Sequence, residues 1–329
     1  MSRKFLVFLL VLLFDVSAYA NSLSKPEVIT ITISAAGDCT LGGDSRIGQI
    51  TNFLSEMKGD NYSYYLRNVR KIFEADDLTI VNMEGTFTNK TNNADKKFVF
   101  QGPPELAQIF TSSSVEAVTM ANNHTLDYLR AGYEDTIATL KAAGIRYFGN
   151  EYVTTINVKG INVGLFGYSV WDSSGATRDK ITSAIKQLRN NGADIVIAYY
   201  HWGVEHSYYP VKYQIDIAHH TIDAGADLVL GSHPHVIQGI AEYKGKNIVY
   251  SLGNFCFGGN RNPSDKDSMI FQQTFEFTSK VLTKTVKNII PCSVSSVKTR
   301  NNFQPTVLTG DEAERVLAKI AKYSRINEK

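Results

Sequence analysis

Apolar residues fall along this chain in short dense runs separated by segments of helical spacing. Residues 28–33 are β-branched throughout and predict a strand that ends at Gly37-Asp38. Tyr62, Tyr65, Leu66, Val69, Ile72 and Phe73 have helical spacing and predict a helix over 61–73. A second strand, 78–81, ends at Asn82-Met83-Glu84-Gly85. The polar stretch 86–97 after it reads as a surface loop, and Pro103-Pro104 opens a short helix. A third strand, 115–120, ends at Ala121-Asn122-Asn123-His124. A helix over 131–143 closes at Gly144, and strand signals recur at 145–148, 152–158 and 161–167. A helix over 178–190 stops at Asn191-Gly192. The strand 194–200 ends at His201-Trp202-Gly203, and a helix over 211–224 ends at Gly225. The run 226–230 then leads into Gly231-Ser232-His233-Pro234-His235-Val236. Strands near 237–243, 247–251, 270–278 and 280–290 follow. Residues 293–310 look irregular, and Asp311 caps a last helix to about residue 326. Alternating strands and helices predict an α/β fold with a largely parallel sheet through residue 230.

Composition narrows the class. With 329 residues, 43% hydrophobic and 20% charged, the chain is globular and has room for one large or two ordinary domains. Net charge is +2 and no long basic run occurs, which gives a nucleic-acid partner no electrostatic support. Arg3-Lys4 precede an apolar run from Phe5 to Phe14, and Ala18-Tyr19-Ala20 offers a cleavage site. Residues 1–20 therefore read as a signal peptide and predict a secreted or periplasmic protein. Left uncleaved, the same run is an N-terminal membrane anchor. Cys39, Cys256 and Cys292 allow at most one disulfide, and each sits in an apolar or strand-like setting that predicts a buried thiol.

Five strand-like runs finish on potential ligands: Asp38, Glu84, Asn123-His124, His201, and His233 with His235. In α/β sheets ligands bind outside the carboxyl ends of the strands, so aligned ends bring these tips together. Imidazole is the commonest side-chain metal ligand near neutral pH, and Pro234 stiffens the loop between two of them. A shared metal site is the reading that accounts for all five tips at once.

The tips also carry a resemblance. Gly37-Asp38, Asn82-Met83-Glu84, Ala121-Asn122-Asn123-His124-x-x-Asp127, His201-Trp202-Gly203-x-Glu205, Pro210-x-x-x-Gln214, Gly231-Ser232-His233-Pro234-His235-Val236-x-Gln238-Gly239 and Tyr250-Ser251-Leu252-Gly253-Asn254-Phe255 together resemble the CapA family of poly-γ-glutamate capsule synthesis proteins. That family is similar to calcineurin-like metallophosphoesterases. The resemblance covers about residues 28–258 and implies a four-layer α/β/β/α sandwich; the domain is expected over residues 21–292, with 293–329 an irregular segment and a C-terminal helix docked on it.

The resemblance further implies that Asp38 and His235 hold one metal, that Glu84 bridges, and that Asn123, His201 and His233 hold a second. His124 is implied as the acid that protonates a leaving group. The cofactor is then one or two divalent ions; carboxylates and a carbonyl oxygen suit Mn²⁺ or Mg²⁺, imidazoles Zn²⁺, Fe or Mn²⁺. One departure stands out. The phosphoesterases have Asp-x-His in the first motif, whereas here it reads Asp38-Cys39-Thr40, which removes an imidazole from the first metal and puts full two-metal occupancy in question.

The remaining polar and aromatic residues have blander readings beside the functional ones. Glu205, part of the resembling motif, is expected to line the cleft, and His206 to be an ordinary polar side chain facing solvent. His219 and His220 are helix-surface or packing residues. Asp127 either hydrogen-bonds a ligand ring or caps the following helix. Asn254 organises the turn after its strand. Trp202, Tyr208 and Tyr209 are core or rim packing more often than walls of a substrate cleft.

The expected function is that of an exported metal-dependent hydrolase or transferase. It would act in synthesis or export of an anionic cell-surface polymer such as poly-γ-glutamate. Its expected partners are that polymer or a small phosphoester, with membrane-bound synthase or export subunits. The alternatives are a non-catalytic, metal-stabilised binding component of a capsule assembly complex, and a periplasmic hydrolase unrelated to capsule. No Gly-x-Ser-x-Gly elbow is present, which argues against a serine hydrolase.

Overall fold

The β-branched run that opens the chain becomes a long central strand, β1 (Val28–Thr40). The computed structural model describes residues 27–325, so the leader read at 1–20 lies outside the described residues. After β1 come β2 (Leu78–Met83), β3 (Thr86–Phe87), β4 (Gln101–Gly102), β5 (Ala117–Thr119), β6 (Arg146–Phe148), β7 (Thr154–Val158) and β8 (Ile161–Val170). They are followed by β9 (Ile195–Trp202), β10 (Leu228–Ser232), β11 (Ile240–Tyr243), β12 (Lys246–Val249), β13 (Asn254–Phe257), β14 (Asp267–Thr278), β15 (Val281–Ser293) and β16 (Thr306–Val307). The helices are α1 (Gln49–Leu54), α2 (Arg70–Phe73), α3 (Gln108–Thr111), α4 (Leu129–Ala142), α5 (Gly175–Asn190), α6 (Lys212–Asp223) and α7 (Gly310–Tyr323).

This is a mixed α/β fold with several sheets. The first runs β16-β15-β14-β1-β2-β5-β6 with β13 also paired to β1, the second β11-β12-β10-β9-β8-β7, and β3 and β4 form a small third. The neighbours β1-β2-β5-β6 are parallel, and so are β8-β9-β10-β12. The single parallel sheet expected through residue 230 is therefore divided between two sheets, because the chain leaves the first after β6 and starts the second at β7. Alternation along the strands then fills both faces of each sheet. Ile31, Ile33 and Ala35 pack against Leu165, Ile197 and Leu230 between the sheets. Phe53, Phe73, Phe110 and Leu140 cover the outer face of the first sheet. Ile181 and Ile185 of α5 and Ile217 of α6 cover Phe166 and Tyr200 on the second. Each large apolar side chain so buried contributes roughly 1.5–3 kcal/mol.

Three local expectations are corrected. Residues 61–73 do not form one helix; a 3-10 turn at Tyr62–Tyr64 and turns lead into α2. Tyr65, Leu66, Val69 and Phe73 are buried as that spacing requires, but Tyr62, Ser63, Tyr64, Tyr65 and Asn68 are weak helix formers. The stretch read as a surface loop begins inside the fold, with Thr86 and Phe87 buried and paired with β4. Asp311 does not cap the last helix; Thr309 holds that position, and Asp311 lies in the first turn, where a negative charge suits the helix dipole.

Val316 and Ile320 of α7 join the core between the sheets, and Arg315 and Lys319 bind Asp267 at 2.6 and 2.8 Å. All three cysteines are free and buried. No helix among the described residues is long and apolar enough to cross a membrane.

Candidate metal centre

The carboxyl ends of β1, β2 and β5 from one sheet meet those of β9 and β10 from the other. Asp38 lies inside β1 at a register shift, pairing with Asn82 where Ala36 pairs with Val81. Such a bulge re-aims the side chain at its site. Gly37 makes the bulge sterically possible, since a Cβ there would stand 1.8 Å from the Gly253 carbonyl oxygen. That carbonyl accepts the Asp38 N–H at 2.9 Å. At Gly253 the chain passes from β12 in the second sheet to β13, which pairs with β1 in the first. His233 and His235 sit at φ +98° and +57°, a region that residues other than glycine seldom occupy. Strain of that kind gathers at functional sites, where the surroundings hold it in place.

Glu84 is the centre of the cluster. It is fully buried, and neither carboxylate oxygen has a hydrogen-bond partner. Nε2 of His124, of His201 and of His235 stand 3.8, 3.8 and 3.9 Å from its Oε1. On one side, His235 Nδ1 lies 3.2 Å from Asp38 Oδ2 and 2.9 Å from Asn254 Oδ1. Both are acceptors, so the Nδ1 proton points at them and Nε2 is the nitrogen facing Glu84. On the other side, His201 Nε2 lies 2.7 Å from Asn123 Oδ1, and the His233 ring centroid is 4.6 Å from that of His201. Nδ1 of His233 is buried and unpartnered.

The cluster therefore brings together every ligand candidate read from the sequence. Ligand atoms of Asp38, Glu84 and His235 all lie within 4.8 Å of one another, and so do those of Glu205, His233 and His235. The second group was not expected. Exposed Glu205, read as lining the cleft, stands within ligand reach of two imidazoles.

Several other residues are fixed by geometry. Asp127 does not cap α4, whose cap position is Tyr128. Its Oδ2 lies 2.6 Å from His124 Nδ1 and accepts the Phe100 N–H at 2.6 Å. The ring that Asp127 orients is that of His124. Asn254 holds His235 from both sides, its Nδ2 donating to the His235 carbonyl at 3.2 Å. Cys39 turns into the helix-side core, and Thr40 donates its hydroxyl proton to the Glu84 carbonyl at 2.9 Å. Trp202 is fully buried and donates to Tyr250, and Tyr208 and Tyr209 pack on Tyr323. His206 is exposed, His219 stacks on Tyr243, and His220 binds Thr182.

Two residues escaped the sequence reading. Lys96, in the stretch taken for a plain loop, reaches Asp127 Oδ1 at 2.5 Å and the Asn123 carbonyl at 2.6 Å. Asn82 donates to Asp38 Oδ1 at 2.7 Å and faces His201 Nδ1 at 3.2 Å. Lys96 has no local signal, since its partners lie far along the chain. Asn82 had one, as the residue two before Glu84 at a strand end.

Electrostatics follow from burial with protein groups alone. Burial, and then the Asp38 charge, raise the Glu84 carboxyl well above its ordinary range. Burial lowers His201 strongly, with His233 adding to it. Burial takes His233 down to about 4 and also lowers His124, against the pull of Asp127. Burial opposes protonation of His235 too, but Glu84 and Asp38 outweigh it and raise the ring to about 9. An ionised carboxylate buried without hydrogen bonds costs several kcal/mol, and a cation removes that penalty. The donors present, carboxylate oxygens, an amide oxygen and imidazole nitrogens, suit a divalent ion.

Sequence comparison bears on the same region. The model of the bacterial capsule synthesis protein PGA_cap family matches residues 32–259, which include every residue from Asp38 to Asn254. The PGA biosynthesis protein CapA of Bacillus subtilis is 29% identical over 261 residues, covering 73% of this chain and 68% of that protein. The capsule biosynthesis protein CapA of Bacillus anthracis is 30% identical over 261 residues, covering 71% of this chain and 62% of its own. A probable polyglutamine synthesis accessory protein of Mycobacterium tuberculosis is 29% identical over 211 residues, 55% of each chain.

Proposed function

Since the chain belongs to the family of bacterial capsule synthesis proteins, we propose that it is an exported metal-dependent hydrolase or transferase working on an anionic cell-surface polymer such as poly-γ-glutamate. The names of its Bacillus and Mycobacterium relatives support the polymer. The apolar leader supports export to the periplasm or beyond, and membrane-bound synthase or export subunits are the partners that follow from that location. The three core slabs around two sheets support a four-layer α/β/β/α sandwich of the metallophosphoesterase type.

One observation carries the metal dependence: the buried, unpartnered carboxylate of Glu84 among three imidazole nitrogens. Asp38, Glu84 and His235 would hold one cation, and Asn123, His201 and His233 a second, with Glu84 shared. Such ions supply Lewis acidity and an activated hydroxide. The chain's own residues do the rest. Asp127 keeps the Nδ1 proton of His124 in place, which leaves Nε2 to hold and deliver a proton at the centre. Asn254 and Asp38 fix His235 in the same way, and Asn82 ties Asp38 to His201.

A second reading has its own observation. The position of the missing imidazole is held by Thr40, whose hydroxyl is engaged by the Glu84 carbonyl. A first cation seat of two carboxylates and one imidazole suits a non-catalytic ion that binds carboxylates of the polymer. Complementation of a capsule-deficient strain by a folded His124→Ala variant separates the two. Failure to restore the polymer supports catalysis; full restoration supports the binding component.

A further inference from the structure

Contacts run across the centre in the order Asn123, His201, Glu84, His235. Each end of this row opens into its own cavity. Asn123 lines one of about 770 Å³, together with Leu126, Leu129, Arg130, Asn150 and Lys180. His235 lines another of about 360 Å³, with His206, Tyr208, Asn260 and Asn262. The two share no lining residue.

Their chemistry differs. The larger has an apolar floor, where Leu126 and Leu129 are 54% and 40% exposed, and a charged rim of Lys180, Arg130 and Glu151. Lys180 lies 4.1 Å from the centroid of the Tyr168 ring and has no carboxylate partner among the described residues. Arg130 pairs with Glu134 and Glu151, both well exposed, and such surface pairs exchange at little cost. The smaller cavity is also lined by Asp265, whose carboxylate is taken up by the Tyr208 hydroxyl at 2.8 Å and by Lys319 at 2.5 Å, which leaves the amides of Asn260 and Asn262 for the polar backbone of a chain.

We infer that the centre is the middle of a two-sided cleft whose ligand is a linear polycarboxylate with one arm in each cavity. An internal bond of the chain, not its end, then lies over Glu84. Lys180 and Arg130 take carboxylates of the first arm, and Leu126 and Leu129 take its methylene groups. His206, Asn260 and Asn262 take the second arm. This rests on the reading of the site as one that handles an anionic polymer, and it adds where the polymer lies and that both sides are occupied.

The test is binding of fluorescein-labelled γ-linked glutamate oligomers, dimer to hexadecamer, to the full chain at fixed ionic strength. Affinity is expected to climb with length until both cavities are filled and then level off. Lys180→Glu and Arg130→Ala should each weaken the long oligomers by about tenfold or more, the scale of one charged hydrogen bond, and leave the dimer little changed. Asn262→Ala should also weaken long oligomers, which tests the second arm. Length-independent affinity overturns the inference, as does a long-oligomer affinity that ignores Lys180→Glu and Arg130→Ala, or that ignores Asn262→Ala. Because binding is read directly, a protein that binds by length yet never cleaves sinks the hydrolase reading and leaves the cleft standing. One that cleaves short esters without length dependence does the reverse.

Discussion

Oδ2 of Asp127 and Nδ1 of His124 stand 2.6 Å apart, with the carboxylate fully buried and the ring stacked 4.1 Å from Phe100. The pair fixes which nitrogen of His124 faces Glu84. His124→Ala should therefore lower turnover by about 10²–10⁴, the range for losing a general acid, while metal content stays at the wild-type level. Asp127→Asn should keep the ring in place but loosen its tautomer, with a smaller loss. Turnover beside elemental analysis on both variants checks this; equal loss of metal and activity would point to collapse of the site instead.

Lys96 sets its ammonium 2.5 Å from Oδ1 of the buried Asp127, opposite the oxygen that faces His124. Removing one partner of a buried ion pair costs roughly 3–5 kcal/mol, and this pair falls somewhat below that range because Lys96 is about a third exposed. Lys96→Met should destabilise the protein by about 2–3 kcal/mol in urea unfolding. Lys96→Arg should recover part of that. A Lys96→Met variant as stable as wild type would show that Asp127 is already satisfied by Phe100 and His124.

The imidazoles predict a pH profile for chelator-treated protein. Burial takes the His233 ring down to about 4 in the folded protein, against 6.5 unfolded. Between those values the unfolded chain binds more protons, so stability falls as pH drops through that window, by roughly 3 kcal/mol in all. His235 is raised to about 9, so its stabilising contribution is complete below 6.5 and is lost as pH rises toward 9. Glu84, raised by burial and by the Asp38 charge, titrates together with His235, so its change belongs to the same fall as pH rises. Thermal unfolding across pH should peak between the two windows without metal and flatten when metal is restored. A chelated protein with a flat profile contradicts it.

Gly37→Ala sets a methyl against the Gly253 carbonyl, where 1.8 Å of room exists. Overpacking of this kind costs about 1–3 kcal/mol, and here it must also part β1 from β13, the pairing that aligns Asp38 with Asn254. Loss of stability together with loss of bound metal is expected in calorimetry and elemental analysis. Retention of both would mean that the bulge does not set Asp38.

Much of this was legible in the chain. The β-branched and apolar runs ending on Asp38, Glu84, Asn123, His201 and His233 gave the strand ends, because burial on both faces leaves a strong local signal. The division into two sheets was not in that pattern, since parallel strands of either sheet look alike from sequence. Asp127 had two open readings because a carboxylate three residues after a histidine serves as helix cap or ring partner with equal ease. Lys96 was out of reach for a different cause, and so was the ligand reach of Glu205, a residue expected at the cleft, to two imidazoles. Their positions depend on how exposed loops fold back over the strand ends, and loops carry turn signals rather than partner signals.

The most direct test is the metal content of the purified full-length protein, measured by plasma mass spectrometry beside a His233→Ala/His235→Ala variant. The account predicts one or two equivalents of a divalent metal in the wild type and background in the folded double variant. Background metal in the wild type after supplementation with Mn²⁺, Zn²⁺, Fe²⁺ and Mg²⁺ in turn, or undiminished metal in the double variant, would contradict it.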